Sequence, residues 1–249
     1  MRILLLLFVL TGITSCRTIK PVESTSTPVS HDAWTALLQK HVNAKGFVNY
    51  QGFIADSVQL NAYLETLSTH YPNPETWSRN EVLAYWINAY NAYTIQLVIR
   101  HYPVLSIKDI KPGIGFINSV WDIPFITIEG QTLDLNNIEH NILRKMDEPR
   151  IHFAVNCASY SCPKLRNEAY TANRLDAQLE DAAIQFINDP SRNLITTSSA
   201  SVSSIFNWFT GDFTKNQSLR DFLNTYSRQK IADDTEINFM AYNWFLNEQ

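Results

Sequence analysis

Two cysteines, Cys157 and Cys162, stand in the part of this sequence that is richest in reactive side chains. Both lie in the second half of the segment from Arg150 to Pro163, in which mostly apolar residues are followed by a polar Ala-Ser-Tyr-Ser stretch. A cysteine attacks a carbonyl carbon as its thiolate, whereas an unperturbed thiol has a pKa of about 8.5 and is mostly protonated at neutral pH. If Cys157 is a nucleophile, an imidazole or a helix terminus must therefore lie close to its sulfur atom.

The apolar run over residues 150–156 predicts a buried strand that ends at Cys157. Alternate side chains of a strand face the same way, so His152 and Asn156 would lie on the face opposite Cys157. A disulfide between Cys157 and Cys162 is an equally good interpretation, because an exported protein reaches an oxidising compartment. Residues that could bind a ligand at this site are His152, Asn156, Ser159 and Trp121.

Glu139 and His140 are neighbours on a helix that the sequence predicts from Asn136 to Met146. Glu139 falls within the apolar stripe of this helix, where a carboxylate needs a partner. The return half of a capping box is a sufficient explanation for Glu139. His140 lies away from the stripe and is left without a structural role, which makes it the candidate base for Cys157.

The longest predicted helix covers residues 81–101, and Ser78 and Glu81 are predicted to form a capping box at its start. Asn88 and Asn91 lie three residues apart on this helix. Apolar residues surround this helix on all sides, so it is expected to be buried, and each amide must find hydrogen bonds. The preferred interpretation is a structural network that pins a neighbouring segment to the helix. The alternative is that one amide orients a catalytic imidazole or donates a hydrogen bond to an oxyanion.

The remaining pattern mixes helices with short strands. Helices are predicted at residues 33–42, 57–67, 171–189 and 219–226, and extended segments at 46–50, 121–128, 131–133, 194–197, 201–206 and 236–246. Helices and strands do not alternate regularly enough for a parallel doubly wound sheet. The sequence therefore predicts a single α+β domain with a small mixed or antiparallel sheet.

The N-terminus has the pattern of an export signal. Residues 1–15 combine Arg2 with an apolar stretch that is too short to span a bilayer, and small residues then precede Cys16. This order predicts a lipoprotein signal peptide followed by a lipid on Cys16, such as palmitate, although an ordinary cleaved signal has the same general form. Residues 16–30 are expected to be a flexible tether and 31–249 the globular domain. Arg17 favours the outer membrane of the cell envelope.

Composition and motifs exclude several kinds of function. Residues 1–15 contain one basic residue, so their removal leaves 19 basic and 24 acidic residues, and this negative balance argues against nucleic acid as a partner. Glycine-rich phosphate loops, His-Glu-x-x-His, Gly-x-Ser-x-Gly and Cys-x-x-Cys are all absent. Two cysteines without a His-x-x-x-His pair do not make a structural zinc site. We therefore expect no metal and no cofactor.

Several motifs together resemble the family catalogued as domain of unknown function 547. They are Tyr85-Trp-Ile-Asn-Ala-Tyr-Asn-Ala, Ile138-Glu-His-Asn-Ile-Leu-Arg, Arg150-Ile-His-Phe-Ala-Val-Asn-Cys-Ala-Ser with Ser161-Cys-Pro, Ile205-Phe-Asn-Trp with Gly211-Asp-Phe, and Tyr242-Asn-Trp. They follow one another over nearly the whole domain, so the resemblance implies one fold and no particular activity. A further similarity to papain-like or transglutaminase-like enzymes would require a permuted order, because His140 precedes Cys157.

Two functions from different classes follow. As an enzyme, the protein would be a cell-envelope cysteine hydrolase or acyltransferase acting on amide or peptide bonds. Cys157 would attack the carbonyl and His140 would transfer the proton, while Glu139, Asn88 or Asn91 would orient the imidazole or bind the oxyanion.

As a non-catalytic module, the protein would carry a disulfide between Cys157 and Cys162 and bind an envelope peptide or glycan. Aromatic side chains would then line the binding groove. The candidates are Tyr160, Trp208, Phe209 and Trp244. In both interpretations the lipid on Cys16 attaches the protein to the membrane.

Overall fold

The structure of the protein, a computed structural model, describes residues 24–111 and 119–249. The expected signal peptide, Cys16 and residues 16–23 of the expected tether lie outside these ranges. The helices are α1 (Asp32–His41), α2 (Tyr50–Ala55), α3 (Ser57–Ser68), α4 (Arg79–His101), α5 (Leu175–Ile187), α6 (Ile205–Trp208), α7 (Thr210–Phe213) and α8 (Leu219–Tyr226). The strands are β1 (Ile126–Ile128), β2 (Gln131–Leu133), β3 (Leu194–Ile195), β4 (Ala200–Ser203) and β5 (Ile237–Met240). The prediction of an α+β domain is confirmed.

Helix α4 is the buried centre of the domain. Ser78 and Glu81 form the predicted capping box, in which the Ser78 side chain accepts from the Glu81 N–H and the Glu81 carboxylate accepts from the Ser78 N–H. The helix ends at His101, two residues before Pro103, because a residue that precedes proline disfavours helical geometry. Sixteen residues of α4 are buried, so the helix provides walls for the segments packed around it.

Two small sheets complete the domain. Strands β1 and β2 form an antiparallel hairpin, and Ile126 pairs with Leu133. In the second sheet β4 lies between β3 and β5, antiparallel to β3 and parallel to β5. The extended segments predicted at 121–128 and 131–133 form one antiparallel pair, and those predicted at 194–197 and 201–206 form the other, but β1, β3 and β4 are shorter than expected. Trp121 lies in a 3₁₀ turn before β1. Within the described residues, no helix is both long and apolar enough to cross a bilayer.

The strand predicted over residues 150–156 is wrong. Residues Pro149–Phe153 form a 3₁₀ helix, with Pro149 at its start and the Glu148 side chain accepting from the Arg150 N–H. Phe153 packs into an aromatic cluster with rings of α5 to α8, whereas Ile151 packs into the larger core around α4. An apolar run signals burial, and this one is buried because it passes between two cores rather than within a sheet. The expected alternation of faces along this segment therefore does not exist.

The helix predicted over residues 136–146 exists, but its geometry is not that of an α-helix. A π-helix at Asn137–Ile142 is followed by a 3₁₀ helix at Leu143–Met146. The expected capping box of Asn136 and Glu139 does not form. Asp134 and Asn137 make the reciprocal contacts instead, in which the Asp134 carboxylate accepts from the Asn137 N–H and the Asn137 side-chain oxygen accepts from the Asp134 N–H. The Glu139 side chain is therefore not used in capping. Isolated π-helical turns occur frequently at functional sites.

The described part of the expected tether packs against the domain. The Ser26 hydroxyl donates to the carbonyl of Tyr71, and the Trp77 indole donates to the carbonyl of Ser26. The Asn73 amide donates to the carbonyl of Ser24, which is itself buried. Residues 24–26 are therefore held in place, in contrast to the expected flexibility.

Candidate active site

A cavity of about 180 Å³ lies between the two hydrophobic cores. It is bordered by α4, the π-helix, the thiol segment (residues 157–162), the α6–α7 region and the segment after β5. Its lining includes Cys157, Cys162, Glu139, His140, His152, Tyr90, Trp121, Trp208, Phe209, Tyr242 and Trp244. Thiols, imidazoles and a carboxyl group thus share one partly apolar space.

The sulfur atoms of Cys157 and Cys162 lie 2.7 Å apart, and both cysteines are free. Cys162 is buried, with 3% of its surface exposed, whereas Cys157 is partly exposed. This separation lies between the length of a disulfide bond, about 2.05 Å, and the longer distance of an ordinary contact between two sulfur atoms, so the two side chains are close enough to be joined by a bond. They form a thiol pair that can share a proton.

Hydrogen-bond donors converge on the sulfur atom of Cys162. The Tyr242 hydroxyl donates to it at 3.1 Å and the Cys157 N–H at 3.2 Å, and the Ser159 hydroxyl lies 3.3 Å away. Burial alone would raise the pKa of Cys162, but the hydrogen bonds from Cys157, Ser159 and Tyr242 outweigh burial and lower this pKa. The hydrogen-bond donors therefore favour the thiolate on Cys162 over the thiolate on Cys157.

Cys157 has the opposite electrostatic character. Its hydrogen bond with Cys162 and its burial raise the pKa of the Cys157 thiol well above its usual value. The hydrogen-bond partners of its sulfur atom are Cys162, Ser159 and Tyr242, and no imidazole within the described ranges is among them. The geometry thus favours Cys162 over Cys157, the predicted nucleophile, as the ionised thiol.

The backbone holds the thiol segment rigidly. Ala158 has a φ of 58°, an uncommon angle for a residue with a side chain, and its N–H donates to the Asn156 side chain. The N–H of Tyr160 donates to the carbonyl of Phe245 at 2.6 Å, which joins the segment to the C-terminal residues. The Arg192 guanidinium donates to the carbonyls of Tyr160 and Cys162 from the other side. The positions of both sulfur atoms are therefore set by three separate parts of the chain.

His152 is the imidazole with a carboxylate partner in this cavity. Its Nε2 lies 2.8 Å from Oδ2 of Asp212, and Arg144 binds both oxygens of Asp212 at 2.6 and 2.9 Å. Burial would raise the pKa of Asp212, but hydrogen bonds from His152 and Arg144 hold it below its usual range. The ring of His152 also stacks on Phe209 at 4.0 Å. Asp212 thus fixes the orientation of the His152 ring and the proton on Nε2.

The other ring nitrogen of His152 has no partner. Nδ1 is fully buried without a hydrogen bond, and the nearest carboxylate oxygen, on Glu139, is 3.9 Å away. Burial lowers the pKa of His152, so the ring is neutral and Nδ1 carries a lone pair. A buried polar atom without a partner has a substantial free-energy cost. Three other buried atoms of the described residues, in Thr94, Thr171 and Arg220, also have no partner, but of the four only Nδ1 of His152 belongs to a residue that lines the cavity.

Glu139 is a buried carboxyl group facing the same space. Burial raises its pKa to about 7, and a hydrogen bond from Tyr90 opposes this shift only in part. Near neutral pH the group is therefore divided between its acid and carboxylate forms. A carboxyl group with such a pKa can both donate and accept a proton.

His140, the predicted base, lines the cavity but does not contact Cys157. Its Nδ1 lies 3.0 Å from the Arg144 guanidinium, which can only donate, so this nitrogen is an acceptor. Burial, then Arg144 and His152, lower the pKa of His140. The imidazole is half-buried and has no carboxylate partner to orient it. His152 is therefore better arranged than His140 to transfer protons.

Asn88 and Asn91 bind backbone groups and lie outside the cavity lining. The Asn88 amide donates to the carbonyl of Tyr170 and accepts from its N–H. The Asn91 amide donates to the carbonyl of Ala154 and accepts from the N–H of Asn156. These contacts are the structural network that the sequence favours, and they pin residues 154–156 and 170, on either side of the thiol segment, to α4. Both polar atoms of each amide are thus engaged with the backbone, and neither side chain lines the cavity where an imidazole or an oxyanion would be bound.

The predicted binding residues have different positions. Trp121 and His152 line the cavity, and Ser159 contacts both sulfur atoms. The Asn156 side chain is occupied inside the thiol segment, where it donates to the carbonyl of Pro163. Tyr160 packs against Phe47 outside the cavity lining.

Four aromatic rings form one wall of the cavity. Trp208 stacks on Trp244 at 5.6 Å, and Tyr242 lies 4.6 Å from Trp244. Trp121 is 5.4 Å from Trp244, and Trp208 is 46% exposed. The wall therefore begins at the protein surface and ends at the thiol pair, which Tyr242 contacts directly. Flat apolar surfaces of this kind bind peptide and sugar groups.

Residues 74–187 match the model of the family described as Protein of unknown function, DUF547. The match supports the resemblance to this family and spans α4, the π-helix, the thiol segment and His152. Neither the curated proteins nor the solved structures contain a match to this chain.

Asp212 and Tyr242 are the functional residues that sequence reasoning missed. Both lie beyond the residues that match the DUF547 family model, but both fall within the motifs that carry the resemblance, Gly211-Asp-Phe and Tyr242-Asn-Trp. These two motifs were the features of the sequence from which Asp212 and Tyr242 could have been selected. Across residues 24–111 and 119–249, no three His, Cys, Asp or Glu side chains are grouped so as to hold a metal ion.

Proposed function

We propose that this protein is a thiol-dependent hydrolase or acyltransferase of the cell envelope that acts on amide or peptide bonds. One observation carries the proposal: a thiol with converging hydrogen-bond donors, Cys162, shares a cavity with His152, whose ring is held by Asp212. Acyl transfer through a thioester needs a nucleophile that is ionised at neutral pH and a separate group that moves protons.

The arrangement gives each residue a role. The Cys162 thiolate attacks the carbonyl carbon, and the amine leaves with a proton from the acid form of Glu139. A water molecule, or the amine of an acceptor, then attacks the thioester after transferring a proton to Nδ1 of His152. This proton returns to Glu139, and Cys162 leaves as the thiolate. Because Tyr242 and Ser159 already stabilise the thiolate, the imidazole need not touch the sulfur atom.

A non-catalytic binding module is the second candidate. The aromatic wall favours this function, since Trp208 is exposed and stacks on Trp244 beside the cavity. In this case Cys157 and Cys162 form a permanent disulfide, and the wall binds an envelope peptide or glycan. Such a module would have no reactive thiol in its native state.

A chromogenic acyl donor distinguishes the two functions. The full-length chain with Cys16→Ser, which removes the third thiol, is purified in detergent and treated with p-nitrophenyl acetate. We expect one acetyl group on Cys162 by mass spectrometry and continued release of p-nitrophenolate as the thioester turns over. A p-nitroanilide in place of the ester then tests whether amides are cleaved.

Two further variants serve as controls in the same background. Cys162→Ser is expected to lose both the acetyl group and the turnover, whereas Cys157→Ser keeps an acetylated Cys162. Thermal unfolding followed by circular dichroism checks that each variant is folded. Turnover that is unchanged in a folded Cys162→Ser chain would exclude this nucleophile. A parent chain that shows no free thiol even after treatment with a reductant under native conditions would favour the binding module.

We also propose that a lipid on Cys16 anchors the protein in the envelope, in line with the signal sequence. Expression in a bacterial host with an alkyne-labelled palmitate is expected to label the chain and to place it in the membrane fraction. The Cys16→Ser variant is expected to lose the label. Equal labelling of both chains would contradict the anchor.

A further inference from the structure

Acyl transfer requires one cysteine, but the cavity contains two in contact. We propose that Cys157 and Cys162 form a thiol–disulfide exchange centre, which cycles between dithiol and disulfide by reacting with disulfide-containing molecules of the envelope. This activity does not depend on acyl transfer, because its substrate is a sulfur–sulfur bond rather than a carbonyl group.

The geometry of the pair permits the cycle. The sulfur atoms are 2.7 Å apart, so a movement of about 0.7 Å brings them to the length of a disulfide bond. Both cysteines line the cavity, and the partly exposed Cys157 gives the pair access to solvent. The backbone around them is clamped by the C-terminal residues and by Arg192, so the two sulfur atoms stay together in both states.

The hydrogen bonds around Cys162 argue for a disulfide that is easily reduced. Its sulfur atom receives hydrogen bonds from the Tyr242 hydroxyl and the Cys157 N–H. Both donors lose a charged acceptor when the disulfide forms, because a disulfide sulfur accepts hydrogen bonds weakly. Stabilisation of the dithiol form makes a disulfide more oxidising, which is the property of exchange centres rather than of structural disulfides.

The chemical steps balance without another reactant. The Cys162 thiolate attacks one sulfur atom of the substrate disulfide, forming a mixed disulfide and releasing one substrate thiolate. Cys157 then attacks the sulfur atom of Cys162, and its proton passes to the second substrate sulfur as that leaves. The protein gains one disulfide, and the substrate is reduced to one thiolate and one thiol. A reduced thiol compound drives the same steps in reverse.

Glutathione is a suitable probe. The full-length Cys16→Ser chain is equilibrated in mixtures of reduced and oxidised glutathione, quenched by alkylation and weighed by mass spectrometry. We expect complete conversion in both directions, with a change in tryptophan fluorescence because Trp208 and Trp244 lie beside Tyr242. No acyl donor is present, so this result is separate from the test of acyl transfer.

Three variants assign the roles of the residues. Cys157→Ser is expected to accumulate a mixed disulfide on Cys162, because no second thiol resolves it. Cys162→Ser is expected to react more than about tenfold more slowly at pH 7, since the remaining thiol is mostly protonated. Tyr242→Phe keeps the ring but removes one donor, so it is expected to slow the reaction at pH 7 and not at pH 10.

Two outcomes would overturn the proposal. The first is a parent chain whose disulfide is reduced only after unfolding, which is the behaviour of a structural bond. The second is a folded parent whose thiols never join at any ratio of oxidised to reduced glutathione. An unchanged rate in Tyr242→Phe at pH 7 would contradict the role of the hydroxyl even if the cycle itself occurs.

Discussion

Two groups of buried polar residues flank the thiol segment, and they differ in how completely their hydrogen bonds are made. On the α4 side, Asn88 and Asn91 each donate one hydrogen bond and accept another, all with backbone groups. On the cavity side, His152 leaves Nδ1 without a partner, and the buried Glu139 lies 3.9 Å away. The two groups are similarly buried. Both polar atoms of each amide have a hydrogen-bond partner, whereas one ring nitrogen of His152 has none.

This difference distinguishes buried polar side chains that hold the backbone in place from buried polar side chains that are available for chemistry. A buried amide whose nitrogen and oxygen both bind the backbone fixes that backbone in place. A buried imidazole with one nitrogen unpartnered has a cost in stability, and that nitrogen is available to accept a proton or a hydrogen bond. Asn91→Ala and Glu139→Gln each change a member of one group, and Asp212→Asn changes the partner that orients His152.

The largest effect is expected from Asp212→Asn. The amide that replaces the carboxylate can donate to Nε2 of His152, which moves the ring proton to Nδ1 and removes the base. Turnover of p-nitrophenyl acetate should fall on the order of 10⁴-fold, because loss of the correct tautomer has an effect of this size in the Ser-His-Asp triad. Stoichiometric alkylation of Cys162 should change far less, since its donors do not include His152.

Asp147→Asn is the matched control for this substitution. Asp147 is an exposed carboxylate paired with Lys215, and it lies outside the cavity lining. Its replacement should leave turnover unchanged. If Asp212→Asn lowers alkylation and turnover by the same factor, Asp212 acts on the thiol pair rather than on proton transfer.

Asn91→Ala tests the structural group. The substitution leaves the carbonyl of Ala154 and the N–H of Asn156 buried without partners, which should cost roughly 3 to 4 kcal/mol of unfolding free energy. Urea denaturation measures this loss. The exposed Asn216→Ala should change stability by less than about 0.5 kcal/mol. Equal stability of the two variants would show that the amide does not pin the segment.

Glu139→Gln tests the cavity-side group through the pH dependence of protein stability. The pKa of Glu139 is raised from 4.5 to about 7 in the folded protein. The unfolded chain therefore loses this proton at a lower pH than the folded chain, and stability falls as pH rises from about 4.5 through 7. The full loss is roughly 3 kcal/mol. Glutamine cannot ionise, so the variant should lack this loss and be more stable than the parent at pH 8.

The exposed Glu75→Gln provides the comparison. Its stability curve should follow that of the parent from pH 4 to pH 8, whereas the curve of Glu139→Gln should separate from the parent above pH 5. Urea denaturation at each pH measures both curves. Parallel curves for all three chains would mean that Glu139 ionises normally in the folded protein.

Sequence reasoning succeeded where the signal is local. The capping box at Ser78 and the all-round apolar pattern of α4 depend on neighbouring residues, and the structure confirms both. The need of Asn88 and Asn91 for hydrogen bonds follows from the burial of the same helix. The failure over residues 150–156 has a local cause as well, because an apolar run indicates burial without indicating the secondary structure.

The identity of the candidate base, His140 or His152, could not be predicted from local sequence patterns. A helical wheel assumes α-helical geometry, but residues 137–142 form a π-helix, so the angular positions of Glu139 and His140 differ from those expected. The partner of His152 is Asp212, sixty residues further along the chain. Only the packing of α7 against the 3₁₀ helix brings these two side chains together.

The sequence by itself determined that this chain forms an α+β domain around one long buried helix, with two cysteines in a polar segment that follows an apolar run. These properties depend on hydrophobic periodicity, capping residues and composition, which act over a few neighbouring positions. Only the tertiary structure decided which sulfur atom is surrounded by hydrogen-bond donors and which imidazole has a carboxylate partner. The Tyr242 hydroxyl beside Cys162 and the Asp212 carboxylate beside His152 are distant in sequence from these residues, and they reach the cavity only when both cores are packed.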